Sequence, residues 1–188
     1  AIGAENDESG GNFSVGAVYI FDISNKSTPV EKVKFIDADL DGGERFGHLV
    51  TIHNEILYVS ALGGFLNSFD GAVLIYDISN SSSPIRKSVI ARSDASVFIG
   101  DRFGKSLSVS GDDLLVGSPR FGQNGAAYLF DVSDPSNPSQ KDKFVFNDNN
   151  IGTGNEFGRS VSVSGRRVFV GTNKVDAPLG VKFFKNSI

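Results

Sequence analysis

FGKSLSVSGDDLLVGSPRFGQNGAAYLFD, residues 103–131, decides the fold, because related copies of it stand on both sides. Its Phe103-Gly104 pair recurs as Phe46-Gly47 and Phe157-Gly158, at steps of 57 and 54 residues. The glycine that opens GAAYLFD keeps the same beat: Gly16, Gly71, Gly125 and Gly180 are separated by 55, 54 and 55 residues. A period this regular means one supersecondary unit repeated along the chain, each copy relying on its neighbours to bury an apolar face.

Inside the unit the apolar residues alternate. Leu107 and Val109 lie among Ser106, Ser108 and Ser110, and Val161 and Val163 among Ser160, Ser162 and Ser164, which is the period of a strand with one buried face. Ser110-Gly111-Asp112-Asp113 and Ser164-Gly165-Arg166-Arg167 then predict tight turns, with Gly supplying the positive φ that a short hairpin requires; His53-Asn54-Glu55 uses Asn for the same purpose. A third strand falls on GAAYLFD. It runs into DVSDPSNP from Asp131, and the same place reads DISNKSTP from Asp22 and DISNSSSP from Asp77. Asp, Asn and Ser compete for nearby backbone donors, so these segments predict side-chain-capped turns. A fourth run at 33–36, 88–91 and 143–146 completes the unit. Four short strands in about 55 residues is the size and content of a propeller blade.

The expected fold is therefore all-β, built of blades of four antiparallel strands. The single segment over 1–188 divides into a partial blade over 1–37, blades over 46–91 and 103–147, and a partial blade over 157–188. The first lacks its Phe-Gly strand and the last lacks its fourth strand. That is about 3.4 repeats, fewer than the 4 to 8 blades of a closed propeller. The chain is expected to be a fragment of a longer protein, or a part-ring that closes by self-association through its open blade edges.

FGKSLSVSGDDLLVGSP followed by GAAYLFD resembles the FG-GAP repeat of integrin α-subunit propellers and of many bacterial surface proteins. The DISN and DVSDPSNP segments resemble the turns of LVIVD-type bacterial propeller repeats. The resemblance implies a secreted or cell-surface protein, bacterial in origin, acting as a non-enzymatic binding or adhesion module or as a structural component of a surface assembly. It also admits a carbohydrate-binding, lectin-like propeller assisted by calcium, and an accessory propeller of a larger secreted enzyme.

Composition narrows the classes. A net charge of −4 and the absence of any block of five basic residues argue against a nucleic-acid-binding surface. No apolar run approaches the roughly 20 residues of a membrane-spanning helix. With no cysteine there are neither disulfides nor thiolate metal sites. The two histidines, His48 and His53, fall in one copy, where the others carry Lys105 or Arg159 and Ser110 or Ser164. They read as variable surface positions, and no catalytic constellation is announced.

Strand parity assigns the loops. With strands a, b, c and d in each blade, the b-to-c and d-to-a links share one end, and they are longer and more varied than the a-to-b turns. Varied loops on a rigid scaffold are where binding concentrates. That end carries Phe13, Phe65, Phe69, Phe98 and Phe121, which can stack on a sugar or anchor a protein partner or, alternatively, cover the blade rim. Arg120, Arg45 and Arg102 lie there too and suit an acidic ligand, although such residues also pair with neighbouring carboxylates. Asp37, Asp39 and Asp41, followed by Gly42, place carboxylates at alternate positions as a calcium loop does. The pattern departs further on, where Arg45 and His48 occupy the ninth and twelfth positions. The Phe-Gly pair itself reads as packing: Phe fills the gap between blades and Gly lets backbones approach.

Overall fold

The computed structural model describes residues 1–8, 14–40, 42–63, 71–91, 100–122, 124–145 and 154–173, and the backbone of 181–185. Within them lie four antiparallel sheets whose strands neighbour one another in chain order. Blade one holds β1 (Ile2–Ala4), β2 (Ala17–Asp22) and β3 (Val30–Phe35). Blade two holds β4 (Phe46–His53), β5 (Ile56–Ala61), β6 (Ala72–Asp77) and β7 (Ile85–Ala91). Blade three holds β8 (Ser106–Ser110), β9 (Asp113–Ser118), β10 (Ala126–Asp131) and β11 (Ser139–Val145). Blade four holds β12 (Ser160–Ser164), β13 (Arg167–Gly171) and β14 (Val181–Lys185).

The turns follow their residues. Asn54 and Glu55, at φ 47° and 60°, join β4 to β5 through a two-residue loop with both central residues left-handed, and Gly111 and Gly165 take φ 58° and 53° in the later copies. In each hairpin between the third and fourth strands an Asp caps its own turn. The Ser24, Ser79 and Ser133 amides donate to Asp22, Asp77 and Asp131 Oδ1, each at 2.9 Å. The Ser27, Ser82 and Ser136 amides repeat the device on Asn25, Asn80 and Asp134. Every such hairpin also has a register shift, at Ile20/Phe21, Ile75/Tyr76 and Leu129/Phe130.

The core lies between blades. Val18 and Ile20 of blade one face Phe46, Leu57, Val59, Leu74 and Tyr76 of blade two. Val73 and Ile75 on the other face of blade two meet Phe103, Leu114, Val116 and Tyr128 of blade three. Leu115, Ala127 and Leu129 pack in turn on Phe157, Val163, Val168 and Val170 of blade four. The Phe-Gly phenylalanines Phe46, Phe103 and Phe157 are fully buried in these seams. Phe46 meets Phe35 and Tyr76 edge-on at 5.8 and 6.0 Å, and Phe103 meets Tyr128 at 5.5 Å. Burial of this kind stabilises by about 3–5 kcal/mol per ring when judged by truncation to Ala.

The seams close because backbone touches backbone. Gly16 bridges Phe46, and Gly125 bridges Phe157, as isolated parallel pairs. The Phe46 amide donates to Val15 O and the Phe157 amide to Asn124 O, both at 2.8 Å. A Cβ on Gly16, Gly71 or Gly125 would lie 2.1 to 2.2 Å from the carbonyl oxygen of Phe46, Phe103 or Phe157. All three glycines also have φ near +85°, where any side chain is strained.

The alternating residues form the strands, at Ser106–Ser110 and Ser160–Ser164, and a turn brackets the Phe-Gly pair in all three copies: the His48, Lys105 and Arg159 amides donate to Arg45, Arg102 and Glu156 O. One expectation needs correction. Val181 pairs with Gly171, the place that Ala127 takes opposite Gly117, so the third strand of the last copy is shifted by one residue from where the glycine spacing put it.

Gly125→Ala is expected to destabilise the chain by about 3–4 kcal/mol, through clash and strain together. Gly111→Ala has the same left-handed strain with nothing near its Cβ, and should cost about 1–2 kcal/mol. Denaturant unfolding of the pair checks the difference. The capped turns make a pH prediction. The bond from the Ser24 amide lowers the Asp22 pKa from 3.8 to about 2, bonds from the Ser79 amide lower that of Asp77, and bonds from the Ser133 hydroxyl and amide lower that of Asp131. A lowered folded-state pKa stabilises above the unfolded value and is lost as pH falls. Acid titration followed by circular dichroism should therefore show stability declining from about pH 3.8 towards 2, and less steeply in the Asp22→Asn, Asp77→Asn, Asp131→Asn variant.

Candidate functional site

Of the aromatics assigned to the long-loop end, Phe13, Phe65, Phe69 and Phe98 lie outside the described residues, as does Asp41. Arg120 and Phe121 follow β9 in the b-to-c link of blade three. The Arg120 amide donates to Asp101 O at 3.2 Å, and the Phe121 amide to Ser118 O at 3.1 Å, so the backbone here is anchored while the Arg120 side chain is exposed. The Phe121 ring is half-buried against the seam between blades two and three and stands edge-on to Tyr128 at 6.3 Å. Lys143 Nζ sits 3.9 Å from its centroid and 5.3 Å from that of Tyr128. Phe121 thus covers the blade end and carries a cation on its ring, leaving Arg120 as the described side chain of that pair that extends into solvent.

Asp37 and Asp39 come together elsewhere. The start of the link after β3 meets the turn end of the β6–β7 hairpin in blade two, where Tyr76 pairs with Arg86. Tyr76 Oη donates to Asp37 Oδ2 at 2.5 Å, and the Arg86 guanidinium spans the two carboxylates, to Asp37 Oδ1 at 2.6 Å and Asp39 Oδ2 at 2.5 Å. The Asp39 amide adds a further bond to Asp37 Oδ1 at 3.1 Å. Phe35, Pro84 and these four side chains line an open cleft of about 390 Å³ between the blades.

The electrostatics are those of a closed network. Burial, and then the Asp37 carboxylate, push the Tyr76 hydroxyl pKa up, which keeps it a donor. Burial works against the charge on Arg86, yet the bond to Asp39 and the charge of Asp37 outweigh it and raise its pKa. A guanidinium therefore holds the place that the calcium reading gave to a metal. Both Asp37 oxygens are already used, whereas calcium requires six to eight oxygen ligands. Among the described residues no three His, Asp or Glu side chains gather as a metal site would require. The equivalents of Tyr76 and Arg86 in blade three are Phe130 and Gln140, so this clamp belongs to the first seam.

A second polar row follows the inner strands. His48 is not a simple surface residue: its side chain is 14% exposed and bonded on both nitrogens. Lys105 Nζ donates to Nε2 at 3.2 Å, which makes Nδ1 the donor to Glu5 Oε2 at 2.7 Å. One chain of bonds thus crosses blades one, two and three. In the fourth, Arg159 occupies the corresponding place and pairs with Glu156 at 2.5 Å.

Sequence reasoning missed the residue two before each Phe-Gly pair. Glu44, Asp101 and Asn155 are all buried, and their carbonyls accept bonds from the next turn: from the Gly63 amide, the Ser118 hydroxyl and the Thr172 hydroxyl. The residue between, Arg45, Arg102 or Glu156, has φ of 56°, 56° or 49°. The recurrence of a polar residue directly after Gly43, Gly100 and Gly154 was the available signal.

Comparison with known families meets this geometry at two points. A family model described as FG-GAP repeat matches residues 88–130. One described as LVIVD repeat matches residues 14–37 and 59–91. The first spans the crossing into blade three and its first three strands; the second spans the capped c-to-d hairpins of blades one and two. The chain carries both repeat types, and both are typical of propeller blades. No curated protein matches the chain.

Removing Arg86 leaves Asp37 buried with less than its full set of partners. Arg86→Ala is expected to cost about 2–3 kcal/mol, and Tyr76→Phe about 1–2 kcal/mol. Arg86→Lys should fall between wild type and Arg86→Ala, since an ammonium does not reproduce the two-armed bond. Urea denaturation of the three variants checks the order.

Proposed function

We propose that the chain is a non-enzymatic binding module of a secreted or cell-surface propeller, holding an acidic protein or glycan partner at its long-loop end. The observation that supports this reading is the Arg120 guanidinium, exposed on a backbone pinned to Asp101 and Ser118. Blade three beneath it is enclosed on both faces: Leu114, Leu115, Val116, Tyr128 and Leu129 are all fully buried. With the backbone already fixed, only the side chain has to be ordered when it binds, which limits the cost of association. Phe121 contributes the covered apolar shoulder and Lys143 a second positive charge beside it.

The test uses the purified chain on an array of defined acidic and neutral glycans, together with immobilised acidic proteins. The expected result is selective retention on acidic probes that weakens as salt rises, since exposed ion pairs are screened. Arg120→Glu should lower that affinity about tenfold without shifting the melting temperature. Retention only on neutral glycans would favour the lectin-like alternative. Retention unaffected by Arg120→Glu would remove this site.

A further inference from the structure

The clamp between blades one and two has an outer half with bonding capacity to spare. Asp37 is buried and saturated, since Tyr76 Oη, the Asp39 amide and Arg86 all donate to it. The side chains of Asp39 and Arg86 are instead 46% and 34% exposed. Arg86 carries five N–H donors and gives one to each aspartate, while Asp39 receives it through Oδ2 alone. Among the described residues, Asp39 Oδ1 and the remaining Arg86 N–H groups therefore have no partner. Acceptor and donors stand side by side, held by their own ion pair, in the open cleft of about 390 Å³.

Joining the blades does not call for this arrangement. The second seam has Phe130 and Gln140 at the positions of Tyr76 and Arg86, and a buried ion pair adds little over apolar packing of the same volume. Apolar surface also borders the polar pair: Phe35, edge-on to Tyr76 at 5.1 Å, and Pro84 line the cleft, and both are half-buried. Charge then selects the ligand. Two carboxylates face one guanidinium, and the surplus negative charge disfavours an anion. A cation would meet one unused carboxylate oxygen and be repelled by Arg86. A neutral group that donates and accepts at adjacent atoms uses both.

We propose that this cleft is a binding site for a neutral sugar with two adjacent free hydroxyl groups. One hydroxyl donates to Asp39 Oδ1, and its neighbour accepts from an unused Arg86 N–H; the apolar face of the sugar lies against Phe35 and Pro84. Both bonds are charge-assisted, and the ion pair to Asp37 and Asp39 fixes the guanidinium before the ligand arrives. The cleft volume falls in the roughly 300–1,000 Å³ range of small-molecule sites. The inference is independent of Arg120, which lies in another blade.

The test titrates the isotope-labelled 188-residue chain with the methyl glycosides of glucose, galactose, mannose and fucose, which between them present equatorial and axial neighbouring hydroxyls, and follows the amide resonances. At least one glycoside is expected to give saturable shifts at residues 36–39 and 84–86, with a Kd of about 1–10 mM, as suits a ligand of so few atoms. Its fully O-methylated form, which has no hydroxyl proton for Asp39, should not saturate. Asp39→Ala should weaken binding about tenfold or more, and Ala38→Trp, which fills the cleft, should abolish it. Asp39 and Ala38 are exposed, so both variants should melt close to the wild type. No saturable shift with any glycoside up to about 100 mM, shifts confined to residues 118–121, equal binding of the methylated form, or indifference to both variants would overturn the proposal. Spermidine binding at the cleft in place of every sugar would overturn it too, by marking a plain acidic site.

Discussion

Peptide groups of successive blades lie in close contact at Gly16, Gly71 and Gly125, the glycines that precede the third strands of the first three blades, and the rest of the stack depends on that contact. With Gly16 and Gly125 bridging Phe46 and Phe157, the following phenylalanine is driven into the seam, where it meets aromatic and aliphatic side chains from both blades. The contact has no slack for a methyl group. It explains why glycine recurs at this point while the neighbouring loops vary in length and composition.

On this uniform scaffold each seam is finished differently. The first is clamped at its outer flank by Tyr76, Arg86 and two aspartates; at the corresponding positions of the second seam stand Phe130 and Gln140. Blades one and three set a lysine against a tyrosine, Lys34 on Tyr19 and Lys143 on Tyr128, where blade two pairs Leu74 with Val89. Apolar packing thus supplies the common stabilisation, and polar groups individualise the junctions. Such individuality helps keep one blade from docking in the place of another.

What could be read in the sequence was whatever is settled within about ten residues. Alternation in SLSVS and SVSVS, the Asn54 and Gly111 turns and the Asp-capped hairpins are local, and the all-β, blade-by-blade organisation followed from them. Phe-Gly as a seam residue was legible because it repeats. The Asp37–Arg86 clamp was not, since its partners are 49 residues apart and meet across the junction of two blades. Strand parity orders the links within one sheet and says nothing of where the link after β3 meets the next blade, so the contacts of Asp37 and Asp39 with Tyr76 and Arg86 could not be read from it. Arg45 and Arg102 in left-handed conformation had no local signal either: arginine does not favour it, and the surrounding hydrogen bonds impose it. Most of the long-loop aromatics lie outside the described residues, so Arg120 and Phe121 carry the reading of that end.

Among the described residues the core clusters lie between one blade and the next, and this also bears on how the protein answers force. Seams of this kind act as separate latches, so that one can yield before the others. A pull on the chain would open the weakest seam first, and each blade of about 55 residues released would lengthen the tether by about 190 Å. Under tension such seams would yield in steps while the remaining blades kept their shape.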